Sequence, residues 1–100
     1  MIVRCWGSRG SIPVSGAAYI RYGGDTTCLE IRTRNDAVII VDAGTGIRRL
    51  GRRLAEEKNT DLNLIFTHAH MDHLMGFPFF EPLHFPRTRI DLFGCPFAQE

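Results

Sequence analysis

The sequence predicts an α/β chain of the α+β kind, a mixed β-sheet with helices on one face, and three observations carry that reading. Two runs with strand patterning come first, at residues 1–7 and 27–33. A continuous β-branched run follows at 37–41. From there helix and strand patterns alternate to the end, which suits a mixed sheet with helices on one face.

Each element has its own reason. In residues 1–7, Ile2, Val3, Cys5 and Trp6 stand before the breaker Gly7. Residues 8–24 hold Gly10, Pro13, Gly16, Gly23 and Gly24 and few periodic apolar positions, so they form a long loop, a feature that is usually functional or disordered. Residues 27–33 set Cys28, Glu30 and Arg32 against Thr27, Leu29, Ile31 and Thr33, the period of a strand with one wet face. Asn35-Asp36 supplies a turn, so this strand and the next read as a hairpin. Residues 37–41 (Ala-Val-Ile-Ile-Val) read as a strand buried on both faces.

Asp42-Ala43-Gly44-Thr45-Gly46 then leads into a helix that runs to about Lys58, with Thr45 or Gly46 at its N-cap. Ile47, Leu50 and Leu54 form its apolar stripe, while Arg48, Arg49, Arg52, Arg53, Glu56 and Glu57 face water. Asn59-Thr60 ends the helix and residues 62–67 form the next strand. A polar segment at 68–73 is followed by an apolar, proline-studded stretch to Pro86, and residues 89–93 make a last short strand.

Composition narrows the functional classes. One hundred residues allow one small domain or a piece of a larger one. Hydrophobic residues at 44% and charged residues at 23% are ordinary for a globular protein and exclude simple disorder. A net charge of +1 provides no global field toward nucleic acid or an anionic membrane. The basic residues are eleven Arg and one Lys, Lys58, a bias suited to planar, bidentate contacts. No apolar run is long enough for a transmembrane helix, and the start lacks the pattern of a signal peptide. Cys5, Cys28 and Cys95 form an odd set without C-x-x-C spacing, which argues against a disulfide framework or a cysteine zinc site and for a reducing cytoplasm.

The informative window is Thr67-His68-Ala69-His70-Met71-Asp72-His73, which gathers three of the four histidines. At this composition H-x-H-x-D-H arises by chance in roughly four of ten thousand such chains. It directly follows an apolar strand, where ligands of sheet-based folds collect. In extended backbone His68 and His70 point the same way and can converge on one ion. Asp72 and His73, at a turn, would point away from that pair, so the four donors divide two and two. One tetrahedral ion could not use all four from so tight a loop, whereas two ions roughly 3.5–4 Å apart could. Imidazole and carboxylate without thiolate favour zinc, with manganese or iron as alternatives. The plainer reading is a solvated, histidine-rich loop.

His68-x-His70-x-Asp72-His73 resembles the signature of the metallo-β-lactamase fold superfamily. Gly7-Ser8-Arg9-Gly10-Ser11, Gly23-Gly24-Asp25-Thr26-Thr27-Cys28 and Ile40-Val41-Asp42-Ala43-Gly44 add to the likeness. Together they resemble its phosphodiesterase and ribonuclease Z-like branch more than the true lactamases. The resemblance spans essentially the whole chain and implies the front half of an αββα sandwich that typically has about two hundred residues or more. Residues 1–100 are then the amino-terminal part of one domain whose carboxyl-terminal part is absent.

By the family's pattern His68 and His70 bind one metal ion and Asp72 and His73 the second. Further ligands come from later in the family's chain, and His84, in Pro82-Leu83-His84-Phe85-Pro86, lies too close to the motif to replace them. The implied function is hydrolysis of a small-molecule or nucleotide phosphodiester at a two-metal centre. Activated water attacks phosphorus or a carbonyl, and Asp72 is both ligand and hydrogen-bond partner of that water. The chain by itself is expected to be inactive until the rest of the fold or a second chain completes the site. Asp42 falls where the family places a carboxylate that orients the metal-binding loop. Its plainer role is to cap the turn Ala43-Gly44-Thr45. Two other classes remain: a regulatory or binding module that keeps the fold, and a thioester- or sulfide-handling hydrolase.

Weaker signals surround this core. Ser8 and Arg9 are candidate substrate contacts, because Gly7-Ser8-Arg9-Gly10-Ser11 could form an anion-binding turn, although a flexible loop is the simpler reading. Gly44-Thr45-Gly46 lacks the third glycine of a dinucleotide loop, and Ser8 and Ser11 are in no G-x-S-x-G elbow. Arg48, Arg49, Arg52 and Arg53 could contact RNA phosphates, but an ion-paired face with Glu56 and Glu57 explains them more simply. Phe77, Phe79, Phe80, Leu83 and Phe85 could wall a substrate pocket or belong to the core.

Overall fold

The structure, a computed structural model, describes residues 1–94; Cys95 and the rest of the chain's end lie outside the described residues. Period-two and β-branched runs build five strands: β1 (Ile2–Gly7), β2 (Cys28–Arg32), β3 (Val38–Val41), β4 (Asp61–Phe66) and β5 (Arg89–Gly94). They form one sheet in chain order, β1-β2-β3-β4-β5. Pairing is antiparallel for β1–β2 and β2–β3 and parallel for β3–β4 and β4–β5, so the sheet is mixed, as predicted. The β2–β3 hairpin closes through Thr33, whose N–H donates to Ala37 O at 3.0 Å, with Asp36 in the left-handed region at φ 60°.

A parallel β3–β4 pair needs a crossover, and helix α1 (Ile47–Glu56) supplies it. Its stripe of Ile47, Leu50 and Leu54 is fully buried against Val38, Ile40, Leu62 and Leu64 of the sheet. Gly51 costs helix propensity, roughly 1 kcal/mol against Ala. Its bare backbone admits Phe80, whose ring would stand 2.8 Å from any Cβ there. The helix ends two residues before the predicted Lys58. Lys58 takes φ 57° and Asn59 N–H reaches back to Leu54 O at 3.0 Å, a left-handed termination without glycine. Gly46 occupies the N-cap and has no side chain to cap with, while the Thr45 hydroxyl donates to Asp25.

The alternation of β2 predicts one wet face without saying which, and the structure buries the face with Cys28 and Glu30, 0% and 1% exposed, on the α1 side. Glu30 is tolerated there because Trp6 Nε1 donates to it at 3.0 Å, Arg32 pairs with its other oxygen and Arg4 stands 3.6 Å away. The expectation that β3 is buried on both faces is corrected. Val38 and Ile40 are covered by α1, whereas Ile39 and Val41 are half-buried on a face that no element among the described residues covers. In register, Cys5, Leu29, Val41, Ile65 and Phe93 form one row on that open face. Val3, Ile31 and Ile39 form the apolar part of the next row.

The proline-studded stretch folds as 3-10 turns at Phe77–Phe79 and Glu81–His84. Within it Phe80 and Pro82 are core, Phe77 meets Phe66 edge-on at 6.1 Å, and Phe79 and Phe85 are exposed. No helix among the described residues is long and apolar enough to cross a membrane.

Candidate metal centre

Parallel pairing ends β3 and β4 at the same edge of the sheet, which places Asp42 beside the residue that follows Phe66. Asp42 is 2% exposed and has φ 65°, a left-handed conformation that a short polar side chain tolerates better than most. That turn aims its carboxylate at the chain leaving β4. Thr67 N–H donates to Oδ1 at 2.8 Å, and the Thr67 hydroxyl donates to Oδ2 at 2.7 Å. His73 Nδ1 lies 2.9 Å from the same Oδ2.

These contacts select the tautomers of the neutral rings. A carboxylate only accepts, so a neutral His73 donates through Nδ1 and its Nε2 keeps a lone pair. The single hydrogen of the Thr67 hydroxyl goes to Asp42. His68 Nδ1, 2.9 Å from that hydroxyl oxygen, is therefore the donor to it, and His68 Nε2 is left with a lone pair too. Asp42 thus orients two imidazoles, one directly and one through Thr67, as carboxylates behind metal ligands do.

The His68 ring centroid lies 4.5 Å from that of His70 and 4.0 Å from that of His73. The first pairing sets edge to face the two rings expected to lie on the same side of the chain. The second differs from the expectation that His73 points away from that pair. A 3-10 turn at Met71–His73, closed by His73 N–H on His70 O at 3.0 Å, reverses the chain, and Asp42 holds the ring in.

Asp72 Oδ2 lies 3.5 Å from His73 Nε2 and accepts the Ser11 N–H at 3.0 Å. The Ser11 N–H first, and the neighbouring His73 and His70 after it, hold the Asp72 carboxyl below its ordinary range despite some desolvation. A lone pair and a carboxylate oxygen this close repel unless a proton or a cation lies between them.

The segment carrying these donors is docked on the loop between β3 and α1. Ala43 N–H donates to His73 O at 2.8 Å, and Gly76 N–H donates to Ala43 O at 2.9 Å. The approach needs missing side chains: a Cβ on Gly44 would stand 2.6 Å from Asp72 O, and one on Gly76 2.0 Å from Gly44 O. A second layer fixes Gly44–Gly46. Thr26 and Thr45 exchange backbone-to-hydroxyl bonds at 2.9 and 2.7 Å, and Asp25 bridges the Thr45 hydroxyl and Arg49 Nε.

Of the candidate substrate contacts, Arg9 is turned into its own loop. It donates to Ile12 O at 3.1 Å and its guanidinium stands 5.1 Å from the Tyr19 ring centroid. Ser8 is exposed. The residue of that loop that does reach the cluster is Ser11, through its backbone. Only its φ of 72° aims the N–H there, and a backbone donor leaves no mark in residue identity. Thr67 was missed as well, although a hydroxyl directly before the first histidine was the signal available.

Three imidazoles and a carboxylate, two of the rings with oriented Nε2 atoms, are the donor chemistry of a zinc-type ion. Among the described residues, however, no three such side chains converge as a ready metal site. A family model described as the metallo-beta-lactamase superfamily matches residues 21–91. No curated protein and no solved structure matches the chain.

Proposed function

We propose, from the chain's membership of the metallo-beta-lactamase superfamily, a phosphodiester-cleaving hydrolase with a dinuclear, zinc-type centre, acting on a small-molecule or nucleotide substrate in a reducing, cytoplasmic setting. The chain belongs to that superfamily, which is generally hydrolytic and metal-dependent and usually binds divalent ions, often zinc. The supporting observation is the Asp42–Thr67–His68 and Asp42–His73 network, which presents two Nε2 atoms beside His70 and Asp72.

His68, His70, Asp72 and His73 would hold the ions, and manganese or iron could replace zinc. Bound there, the ions supply Lewis acidity and make water nucleophilic near neutral pH. The protein's own part is positional. Asp42 keeps the rings in one tautomer, the Ser11 N–H steadies Asp72, and Asp72 accepts a hydrogen bond from the attacking water. In this reading the remaining donors come from further chain of the same fold or from a second chain. That no three such donors converge among the described residues supports, as a second reading, a binding module that keeps the fold without the chemistry.

The test uses the longest natural chain that carries this sequence. Divalent-ion-dependent hydrolysis of bis(p-nitrophenyl) phosphate, lost in His70→Ala, with about two ions per chain by mass spectrometry, is the expected result. A metal-free protein that hydrolyses nothing establishes the binding module instead. The 100-residue chain alone should not turn over, and turnover by it that His70→Ala removes would overturn the incomplete-site part of the proposal.

A further inference from the structure

Among the described residues, four other than glycine hold a left-handed backbone: Ser11, Asp36, Asp42 and Lys58. Asp36 turns the β2–β3 hairpin and Lys58 ends α1. The other two both serve the histidine segment. Asp42 meets Thr67 and His73, and Ser11 donates its N–H to Asp72 Oδ2 at 3.0 Å. Serine is less at home in that region than aspartate, so the conformation at Ser11 persists only where its surroundings impose it. Arg9 is what surrounds it. Ile12 N–H donates to Gly10 O at 3.0 Å and closes a three-residue turn on Ser11, whose φ of 72° gives the rarer and more strained hand of that turn. Arg9 Nε donates to Ile12 O at 3.1 Å and so spans the turn. Its guanidinium also stands 5.1 Å from the ring centroid of Tyr19, further along the same loop. The base of the turn is fixed by Arg9 N–H on Asp25 O at 3.0 Å and by the bridge of Arg9 with Thr26. Asp25 also anchors the other loop that meets Asp72: its carboxylate holds Thr45 and Arg49, next to Gly44, whose backbone lies against Asp72 O.

We propose that Arg9 is a positioning residue for the candidate metal centre: by clamping Ile12 O it holds Ser11 in its strained turn, and the turn aims the Ser11 N–H that sets Asp72 in place before an ion arrives. The inference rests on the metal-binding part of the hydrolase reading and on nothing in its substrate. Asp72 is held at its carbonyl by one loop and at its carboxylate by another, and both loops are tied to Asp25. An ion then binds more tightly, because the freedom of that side chain is already spent in the metal-free protein. The sign of the effect identifies the clamp. By charge alone, a guanidinium in this loop repels a divalent cation, so its removal would tighten binding. The clamp predicts the reverse, since removing Arg9 releases the turn and lets Asp72 swing.

The experiment combines zinc affinity, by competition with a chromogenic chelator, with amide hydrogen exchange of the metal-free protein, both on the longest natural chain that carries this sequence. Arg9→Ala should weaken zinc binding about tenfold. Ser11→Pro has no N–H and cannot take φ 72°, so it should weaken binding at least as much. Ser11→Gly keeps the N–H and adopts that φ freely, so it should retain most of the affinity. Arg34→Ala removes an exposed arginine at the β2–β3 turn and should change nothing. In the metal-free wild type the Ser11 amide should exchange about tenfold or more slowly than in the unfolded chain. Arg9→Ala and Asp72→Ala should each remove that protection, and circular dichroism verifies the fold of every variant. Zinc affinity unchanged or raised in Arg9→Ala overturns the proposal, and so does a Ser11→Gly as weak as Ser11→Pro. A wild type that binds no zinc ends the hydrolase reading, and exchange alone then decides the clamp. Protection lost in Arg9→Ala sustains it; a Ser11 amide that exchanges freely, or just as slowly in Arg9→Ala, refutes it.

Discussion

Asp42 Oδ2 and His73 Nδ1 meet at 2.9 Å across thirty-one residues of sequence, and both groups sit at the edge where the parallel strands end. The pairing makes one buried carboxylate responsible for the shape of the candidate site and for part of the fold's stability.

Removing that carboxylate should therefore show in two measurements. Asp42→Ala leaves the Thr67 and His73 donors without their acceptor and puts alanine at φ 65°, so urea unfolding should report a loss of about 3 kcal/mol or more. Asp42→Asn tolerates the backbone and should cost less. It should still weaken zinc binding, measured by competition with a chromogenic chelator, by about 10- to 100-fold. Wild-type stability in Asp42→Ala would contradict the network.

Close packing of two loops gives a steric prediction. Gly76→Ala places a Cβ 2.0 Å from Gly44 O and should lower stability by about 2 kcal/mol, several degrees in a thermal melt for a domain this size. Gly10→Ala meets nothing within 4 Å and should melt like the wild type.

Acid stability should depend on Glu30. Burial alone would raise its pKa, but hydrogen bonds from Arg32 and Trp6 and the charges of Arg32 and Arg4 outweigh that, and the net shift is downward from 4.5. The unfolded chain then binds more protons than the folded one on the acid side, so stability rises with pH there. Glu30's contribution is complete above its unfolded value and is lost as pH falls through the lower folded value. Urea midpoints measured downward from about pH 5 should fall more steeply for the wild type than for Glu30→Gln, which starts lower at neutral pH. Parallel profiles would remove Glu30 from the explanation.

Metal binding can be read without any substrate. An ion that binds only the folded state stabilises it by about 2.7 kcal/mol at a hundredfold excess over Kd. Zinc should therefore raise the melting temperature of the natural chain, EDTA should reverse the rise, and His68→Ala or His73→Ala should abolish most of it. A shift that survives both substitutions would place the ion elsewhere.

Much of this was legible in residue patterns. The five strands, the hairpin, the apolar stripe of α1 and the cluster of donors all follow from periodicity and from residue type, because those signals are local. What could not be read depends on contacts distant in sequence. The alternation of β2 shows two faces without saying which is inside. Glu30 goes inside because Trp6, Arg4 and Arg32 are there to satisfy it. His73 turns toward His68 because Asp42, on another strand, accepts its proton. Ser11 reaches Asp72 through a backbone atom that every residue type shares.

The side of the sheet away from α1 has a practical meaning. Water meets Leu29, Ile31, Ile39, Val41 and Ile65 there as a nearly continuous hydrocarbon plane, with Phe93 at its rim. Self-association on that plane, rather than unfolding, should set the highest concentration at which the 100-residue chain stays dispersed. Exchanging Ile31 or Ile39 for threonine keeps the β-branch and should raise that ceiling in light scattering, with the packing beneath the helix left as it is.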